Sequence, residues 1–188
     1  VFLSKEVDEL LQVKIPEGFT GSILKEELPL YPLVVETNCM EAEVTVSLDG
    51  HTGVLRTDAK GRLYLVAASG THALIVSTGE VTAILSVPVG EKGAVTAFDE
   101  LLSLRLNGFE VHHSITVTVG DTTAQVETDD DGSCQILVDP ATKEIIVTDG
   151  EDTFRYPVVD GTLGEPRPYD PENPDSGNTG DGNTDGSG

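Results

Sequence analysis

Short runs of residues that alternate between apolar and polar side chains recur along the chain, separated by Gly or Asp about every 8 to 12 residues. A period of two is typical of β-strands that bury one face, and the runs are rich in Val, Ile, Leu and Thr. The first five are EVTVSL, GVLRT, RLYLVA, HALIVS and VTAILSVPV. The pattern therefore predicts an all-β chain, with antiparallel strands packed as sandwiches.

The same pattern occurs twice, because residues 44–90 align with residues 115–161 at an offset of 71 without a gap. Both the turn residues and the apolar positions match, which favours two copies of one structural unit. We therefore predict two tandem antiparallel β-sandwich units related by an internal repeat. The predicted parts of the chain are an N-terminal segment at 1–20, unit 1 at 21–91, unit 2 at 92–163 and a tail at 164–188.

A Thr-Asp-x-x-Gly motif stands between two predicted strands in each unit, as TDAKG and again as TDDDG. The Asp side chain can accept a hydrogen bond from the backbone two residues ahead, and the Gly can take a positive φ. We predict a tight hairpin turn with a structural role at both places. Its key residues are Asp58, Gly61, Asp129 and Gly132.

The start of unit 2 carries two further local signals. Asn107-Gly108 suits a type I′ turn, which predicts a hairpin between residues 104–106 and 109–111. A helical turn through Phe98, Leu101 and Leu102, capped by Thr96, could precede this hairpin, so the structure of the segment 94–102 stays open.

The N-terminal segment has two interpretations. EVDELLQVKIPEG resembles EVTAILSVPVG, and Pro16, Pro88 and Pro157 then mark equivalent strands at the ends of units. On this interpretation residues 1–20 are the last strand of a partial repeat, which could pair with an exposed sheet edge in its own chain or in a neighbour. The alternative is a short amphipathic helix capped by Ser4.

The tail at 164–188 is rich in Pro, Gly, Asp and Asn, and apart from prolines it has no apolar residue after Tyr169. Such a composition buries too little surface to offset its ordering entropy, which predicts a disordered linker. Asp181, Asn183 and Asp185 match the first half of a calcium-binding loop. Low complexity explains that match better, because the chain stops before the bidentate Glu.

The charge of the chain excludes one class of partner. Eleven Lys and Arg stand against 33 Asp and Glu, for a net charge of -22. Such a surface repels nucleic-acid phosphates and anionic lipid, so we expect no nucleic-acid partner. No apolar run reaches the roughly 18 residues of a membrane span, and we expect no membrane insertion. Secretion is neither indicated nor excluded by the first residues.

The chain offers little that could perform catalysis. The sequence has no G-x-S-x-G, P-loop or H-E-x-x-H motif, and we expect no enzymatic activity and no cofactor. Cys39 and Cys134 fall at non-equivalent places in the two units, which favours two separate, half-buried thiols. The histidines are predicted to be surface or half-buried residues, and adjacent residues on a strand cannot chelate one ion together. They are His51, His72, His112 and His113.

Two acidic loops in unit 2 form the one candidate for a metal site. A calcium ion would fit there if the loops share an end of the sandwich, although a solvated charge cluster is the simpler interpretation. The candidate ligands are Asp129, Asp130, Asp131, Asp149, Glu151 and Asp152.

The order VTVSLDG, VLRTDAKGRLYL and THALIVSTGE resembles carboxypeptidase-regulatory-like and collagen-adhesin B-type modules, which are prealbumin-like sandwiches. Bacterial immunoglobulin-like repeats use a related turn and are the alternative resemblance. The likeness covers about 45 residues of each unit. It implies an Ig-like or prealbumin-like fold, and a role as spacer, stalk or adhesive surface without catalysis.

These observations lead to an expected function. We expect a non-enzymatic structural or adhesive protein on a cell surface or virus particle, with partners or second copies bound through sheet edges. A bacteriophage head, tail-fibre or decoration subunit is one alternative. Another is a glycan-binding accessory module of an extracellular enzyme, although the chain has no Trp and only nine Phe and Tyr on which sugars could stack.

Overall fold

The structure is a computed structural model that describes residues 30–172. The predicted N-terminal segment, the start of unit 1 and the end of the tail lie outside the described residues. The all-β prediction is confirmed, since the described chain contains strands and a single 3-10 turn at Phe98–Glu100. The strands are β1 Leu30–Glu36, β2 Glu43–Leu48, β3 His51–Arg56, β4 Arg62–Ala68, β5 Gly70–Ser77, β6 Val81–Val89, β7 Ala94–Ala97, β8 Leu102–Leu106, β9 Ser114–Val119, β10 Thr122–Glu127, β11 Cys134–Val138, β12 Glu144–Asp149, β13 Asp152–Val159, β14 Thr162–Leu163 and β15 Arg167–Pro168.

The alternation of apolar and polar residues predicted β2 and β6 well, whereas β1 is not among the quoted runs. β2 and β6 have the bounds of the quoted runs EVTVSL and VTAILSVPV. In β2 the apolar side chains Val44, Val46 and Leu48 are buried, while Glu43 and Thr45, which alternate with them, are exposed. Hydrophobic burial of every second side chain therefore fixes the face that this strand turns to the core.

The strands form three sheets. A three-stranded sheet has the order β4-β1-β7, and a six-stranded sheet has the order β3-β2-β5-β6-β11-β8. A second six-stranded sheet has the order β10-β9-β12-β13-β14, and β15 also pairs with β13. Two pairings, β1 with β7 and β6 with β11, are parallel, although the sequence pattern predicted antiparallel strands throughout. The remaining pairs of named strands are antiparallel.

The pairing register of the first unit recurs in the second at an offset of 71 residues. β2 pairs with β3 through Glu43↔Arg56, and β9 pairs with β10 through Ser114↔Glu127, so 71 is added to each number. The pair β1–β4 corresponds to β8–β11 in the same way, as do β2–β5 to β9–β12 and β5–β6 to β12–β13.

The two units share one sheet, because β6 of the first unit pairs with β11 of the second. Leu85 on β6 and Leu137 on β11 belong to the first hydrophobic core, whereas Ile84 and Ile136 belong to the second. Both strands therefore bury apolar side chains on both faces, as parallel strands commonly do. Residues 87–89 are the end of β6, and the pairing of β6 with β11 joins the two sandwiches.

The predictions for residues 94–111 need correction. β7 occupies 94–97, and no Thr96 side chain caps the 3-10 turn that follows. The predicted hairpin is wrong, because residues 109–111 form no strand. A type I′ turn also requires a positive φ at its first central residue, and the φ of Asn107 is not positive. The Asn107 side chain instead accepts hydrogen bonds from Ser133 Oγ at 2.9 Å and Arg105 Nε at 3.1 Å.

The first part of the predicted disordered tail is ordered. β15 pairs with β13, and the backbone N–H of Tyr169 donates to the Thr153 carbonyl at 2.9 Å. The Arg155 guanidinium lies 4.7 Å from the centre of the Tyr169 ring, a cation–π contact. An edge strand tolerates proline, which has no backbone N–H, because an N–H on its outer side would face solvent and is not needed for pairing within the sheet.

Candidate functional site

Each Thr-Asp-x-x-Gly motif connects two sheets, which corrects the predicted hairpin. β3 lies in the six-stranded sheet and β4 in the three-stranded sheet, so the chain at 57–61 crosses from one layer of the sandwich to the other. The same holds for residues 128–132 between β10 and β11. We call these two segments the first and second corner. The sequence of such a corner differs little from the sequence of a hairpin, because a corner and a hairpin both need a tight turn.

The Asp side chains hold the corners closed as predicted. Asp58 Oδ1 accepts hydrogen bonds from the backbone N–H of Lys60 at 2.8 Å and of Arg62 at 2.9 Å. Asp129 Oδ1 accepts from the N–H of Asp131 and of Ser133, both at 2.9 Å. One carboxylate oxygen therefore satisfies two backbone donors that the turn leaves free.

The Thr side chains of the motif anchor each corner to a neighbouring loop. Buried Thr57 donates through Oγ1 to the Cys39 carbonyl at 2.6 Å and accepts from the Ala42 N–H at 2.9 Å. Thr128 makes the equivalent bonds 71 residues later, donating to the Glu110 carbonyl and accepting from the His113 N–H. The role of these threonines was not predicted from the sequence, although Thr57 and Thr128 occupy the same position of the repeat.

The Gly residues complete the corners by their conformation and their lack of a side chain. Gly61 has a φ of +75° and Gly132 a φ of +68°. A Cβ on Gly61 would lie 2.6 Å from the Thr37 carbonyl oxygen, and one on Gly132 would overlap the Phe109 carbonyl oxygen. The predicted positive φ is confirmed, and close approach of backbone adds a second requirement for Gly.

Hydrogen bonding stabilises the charged form of both carboxylates. The N–H of Arg62 is the main cause that lowers the pKa of Asp58 below its ordinary value of 3.8, and the N–H of Ser133 does the same for the pKa of Asp129. Catalytic carboxylates that act as acids usually have raised pKa values. Both corners thus resemble structural turns in their electrostatics.

The acidic loops of unit 2 each contact a different basic side chain. Asp130 Oδ1 lies 2.8 Å from His112 Nε2, and Asp149 Oδ1 lies 2.7 Å from His113 Nε2. Arg105 Nη2 lies 3.6 Å from Asp129 and 4.0 Å from Asp131. His112 lies in a turn and His113 lies just before β9, and their contacts with Asp130 and Asp149 link the two acidic loops.

The carboxylates themselves do not converge. Glu151 lies in the turn between β12 and β13, and Asp152 begins β13 opposite Asp149. Within residues 30–172, no group of three His, Cys, Asp or Glu side chains is placed to hold a metal ion. A calcium ion needs six or more oxygen ligands, so this geometry gives the calcium interpretation no support.

The remaining histidine and cysteine predictions concern isolated groups. His72 contacts Asp49 and the Ala68 carbonyl; burial alone lowers its pKa, but these hydrogen bonds raise it above 6.5. His51 is exposed at the start of β3. Cys39 is half-buried, but Cys134 is buried, and this burial raises the pKa of its thiol to about 11. A thiol with such a pKa is largely protonated at neutral pH and a poor nucleophile.

A polar cleft with a volume of about 600 Å³ lies between the units, and the sequence did not predict it. Thr45, Ser77 and Thr82 line it from the first unit, and Gln125 and Gln135 line it from the second. The cleft exists because β6 and β11 place the two sandwiches side by side. A pattern of period two carries no signal for such a neighbour.

Comparisons of the chain with protein-family models, with curated proteins and with solved structures found no match. Among residues 30–172 there is no helix of the length and apolarity needed to cross a membrane. Inferences about function therefore rest on the fold and on the two corners.

Proposed function

We propose that the protein is a non-enzymatic structural or adhesive module, which acts as a spacer, stalk or assembly subunit on a cell surface or virus particle. The observation that carries this proposal is the β6–β11 pair, which continues one sheet through both units. A shared sheet keeps the two sandwiches at a fixed angle, because bending the joint would break backbone hydrogen bonds buried under two cores.

The surface chemistry supports the same proposal. A net charge of -22 keeps such a module soluble and separated from neighbouring acidic surfaces. The Asp58 and Asp129 side chains at the corners are used in turn formation, as their hydrogen bonds to backbone N–H groups indicate. A spacer needs stiffness and solubility. The hydrogen-bonded corners supply stiffness, and the acidic surface supplies solubility.

Spin-label distance measurements test the stiffness that this function requires. One label would replace Val54, which is 56 % exposed on β3, and the other would replace Val159, which is 62 % exposed at the end of β13. The background would carry Cys39→Ser and Cys134→Ala so that only the labels react. We expect one narrow distance distribution between the two units. A broad or two-peaked distribution would mean a flexible joint and would contradict the proposal.

A glycan-binding accessory module is the second candidate, and the polar cleft between the units favours it. The Gln135 amide donates to Ser103 Oγ at 2.6 Å, and its oxygen could accept a hydrogen bond from a sugar hydroxyl. No Phe or Tyr lines the cleft, and Tyr64 is the one exposed Phe or Tyr side chain of the described residues. A glycan array probed with the full chain tests this candidate, and binding that Gln135→Ala abolishes would support it. An array without hits removes it.

A further inference from the structure

One edge of β4 lacks the neighbour that its equivalent strand has. β4 and β11 are equivalent at an offset of 71 residues, and each pairs antiparallel with one neighbour, β1 or β8. β11 has a second neighbour, because β6 pairs with it in parallel. β4 is the terminal strand of the order β4-β1-β7, so among residues 30–172 no strand lies on its other edge. An open edge of this kind is a template for a further strand.

Side-chain burial marks the same difference. Leu137 on β11 belongs to the first core, which is the core of the neighbouring unit, and it is 7 % exposed. Its equivalent on β4 is Val66, which is only half-buried. Leu65 beside it is buried in its own core, as its equivalent Ile136 is buried in the second core. The half-buried side chain is thus the one whose equivalent packs into another unit.

The strand equivalent to β6 is β13, and the start of the tail occupies its outer edge. β12 pairs with one edge of β13, so β14 and β15 lie on the other. β6 receives β11 at residues 81–83, which the offset of 71 places at residues 152–154 of β13. β15 pairs with residues 154 and 155, and the backbone N–H of Tyr169 donates to the Thr153 carbonyl at 2.9 Å. β15 therefore covers the positions at which an equivalent of β11 would add.

We propose that two copies of this chain join head to tail, with β4 of one copy added to β13 of the other as a parallel strand once β15 has left that edge. The template is the β6–β11 pair, whose register is Val81↔Gln135, Thr82↔Ile136 and Ala83↔Leu137. One offset of 71 applies to both strands, because the other pairings repeat with it. The pairs between copies are Asp152 with Tyr64, Thr153 with Leu65 and Phe154 with Val66.

The side chains fit this register. Phe154 pairs with Val147, which belongs to the second core, so Phe154 stands on the core face of β13. Val66 of the second copy would lie beside Phe154 and extend that core, as Leu137 extends the first core beside Ala83. Both side chains are half-buried in the single chain, and their burial would stabilise the joint. The two surfaces differ, so the contact can repeat from copy to copy.

The contacts that hold β15 are few, and the charge of the chain opposes association. β15 is two residues long, and the ring of Tyr169 adds a cation–π contact to Arg155 at 4.7 Å. Such a short strand opens more readily than the strands of the cores. Two copies of net charge -22 repel each other, so salt should strengthen the joint. This inference rests on the proposed role as an assembly subunit.

Sedimentation of the full chain at several concentrations tests the role of β15. Tyr169→Pro removes both the ring and the N–H that hold β15, so it should strengthen association on the order of tenfold or more. Tyr169→Phe is the matched control, because it keeps the ring and the N–H. Val66→Lys added to Tyr169→Pro should restore the monomer, whereas Val54→Lys on β3, at a side chain 56 % exposed, should not. A Tyr169→Pro chain that stays monomeric in about 1 M NaCl would overturn the proposal.

Disulfide trapping between two differently labelled copies tests the register. One copy carries Tyr64→Cys and the other Asp152→Cys, each with Cys39→Ser, Cys134→Ala and Tyr169→Pro, so that the paired thiols come within disulfide reach. We expect the mixture to form a species of doubled mass under mild oxidation, and each copy alone to form far less. Val54→Cys in place of Asp152→Cys is the control partner.

The outcomes separate this inference from the proposed function. Equal cross-linking by Tyr64→Cys alone would mean that two β4 edges pair with each other, and it would overturn the head-to-tail register. No excess over the Val54→Cys control would overturn the joint itself. The spin-label distances report the joint inside one chain, so a rigid chain that fails to associate contradicts this inference alone.

Discussion

At the scale of single residues, each corner depends on three side-chain choices that act together. Thr57 and Thr128 anchor the turn to the neighbouring loop, and Asp58 and Asp129 accept two backbone hydrogen bonds each. Gly supplies the positive φ and the space for a carbonyl oxygen. These roles need geometry more than reactivity, so substitutions there should change stability.

The Gly132 position allows a direct test of close approach. Gly132→Ala should destabilise the protein by about 2 kcal/mol or more, because Ala must adopt φ near +68° and its Cβ would overlap the Phe109 carbonyl oxygen. Gly120→Ala is the matched control, since Gly120 has a φ of +58° and open space around it. Urea unfolding of both variants separates the steric cost from the conformational cost. Equal losses for the two variants would contradict the role of close approach.

The lowered pKa of Asp129 predicts a dependence on pH. A carboxyl whose pKa is depressed in the folded state stabilises the fold above its unfolded value, near 3.8, and this contribution is lost as the pH falls through the folded pKa. The stability difference between the natural protein and Asp129→Asn should therefore be largest near neutral pH and shrink below pH 3.8. Urea midpoints across this range give the answer. A difference that stays constant with pH would mean that the charge of Asp129 contributes nothing.

At the scale of elements, local patterns predicted strands but not their neighbours. Alternation identified β2 and β6 with their observed bounds, since burial of one face leaves a direct record in the sequence. It could not show that β6 pairs with β11, because that pairing depends on how two cores pack. The Asn107-Gly108 signal failed for a related reason: the Asn107 side chain accepts a hydrogen bond from Ser133, 26 residues along the chain, and a local one from Arg105, and both stabilise another conformation.

Strand β6 should respond to substitution on either face. Ile84 is fully buried in the second core although it belongs to a strand of the first unit. Ile84→Ala should cost about 2 to 5 kcal/mol of unfolding free energy, as large-to-small changes in cores do. Val95→Ala on β7, where Val95 is 67 % exposed, should stay within about 0.5 kcal/mol of the natural protein. A cost below about 1 kcal/mol for Ile84→Ala would contradict burial of β6 on both faces.

At the scale of the whole molecule, the two sandwiches depend on each other. Units of about 70 residues bury only around 60 % of their unfolded surface and are marginal alone. β6 pairs with β11, and each of these strands contributes side chains to both cores. Each unit therefore contains part of the core of the other unit. We therefore expect unit 1 and unit 2 to unfold together.

Differential scanning calorimetry of the full chain tests this central claim most directly. A single transition is expected, with a calorimetric enthalpy equal to the van't Hoff enthalpy, because loss of either core removes a strand that the other needs. Ile84→Ala should lower the temperature of that one transition without splitting it. Two separable transitions, of which Ile84→Ala shifts only one, would contradict the claim that the shared sheet makes both units one cooperative structure.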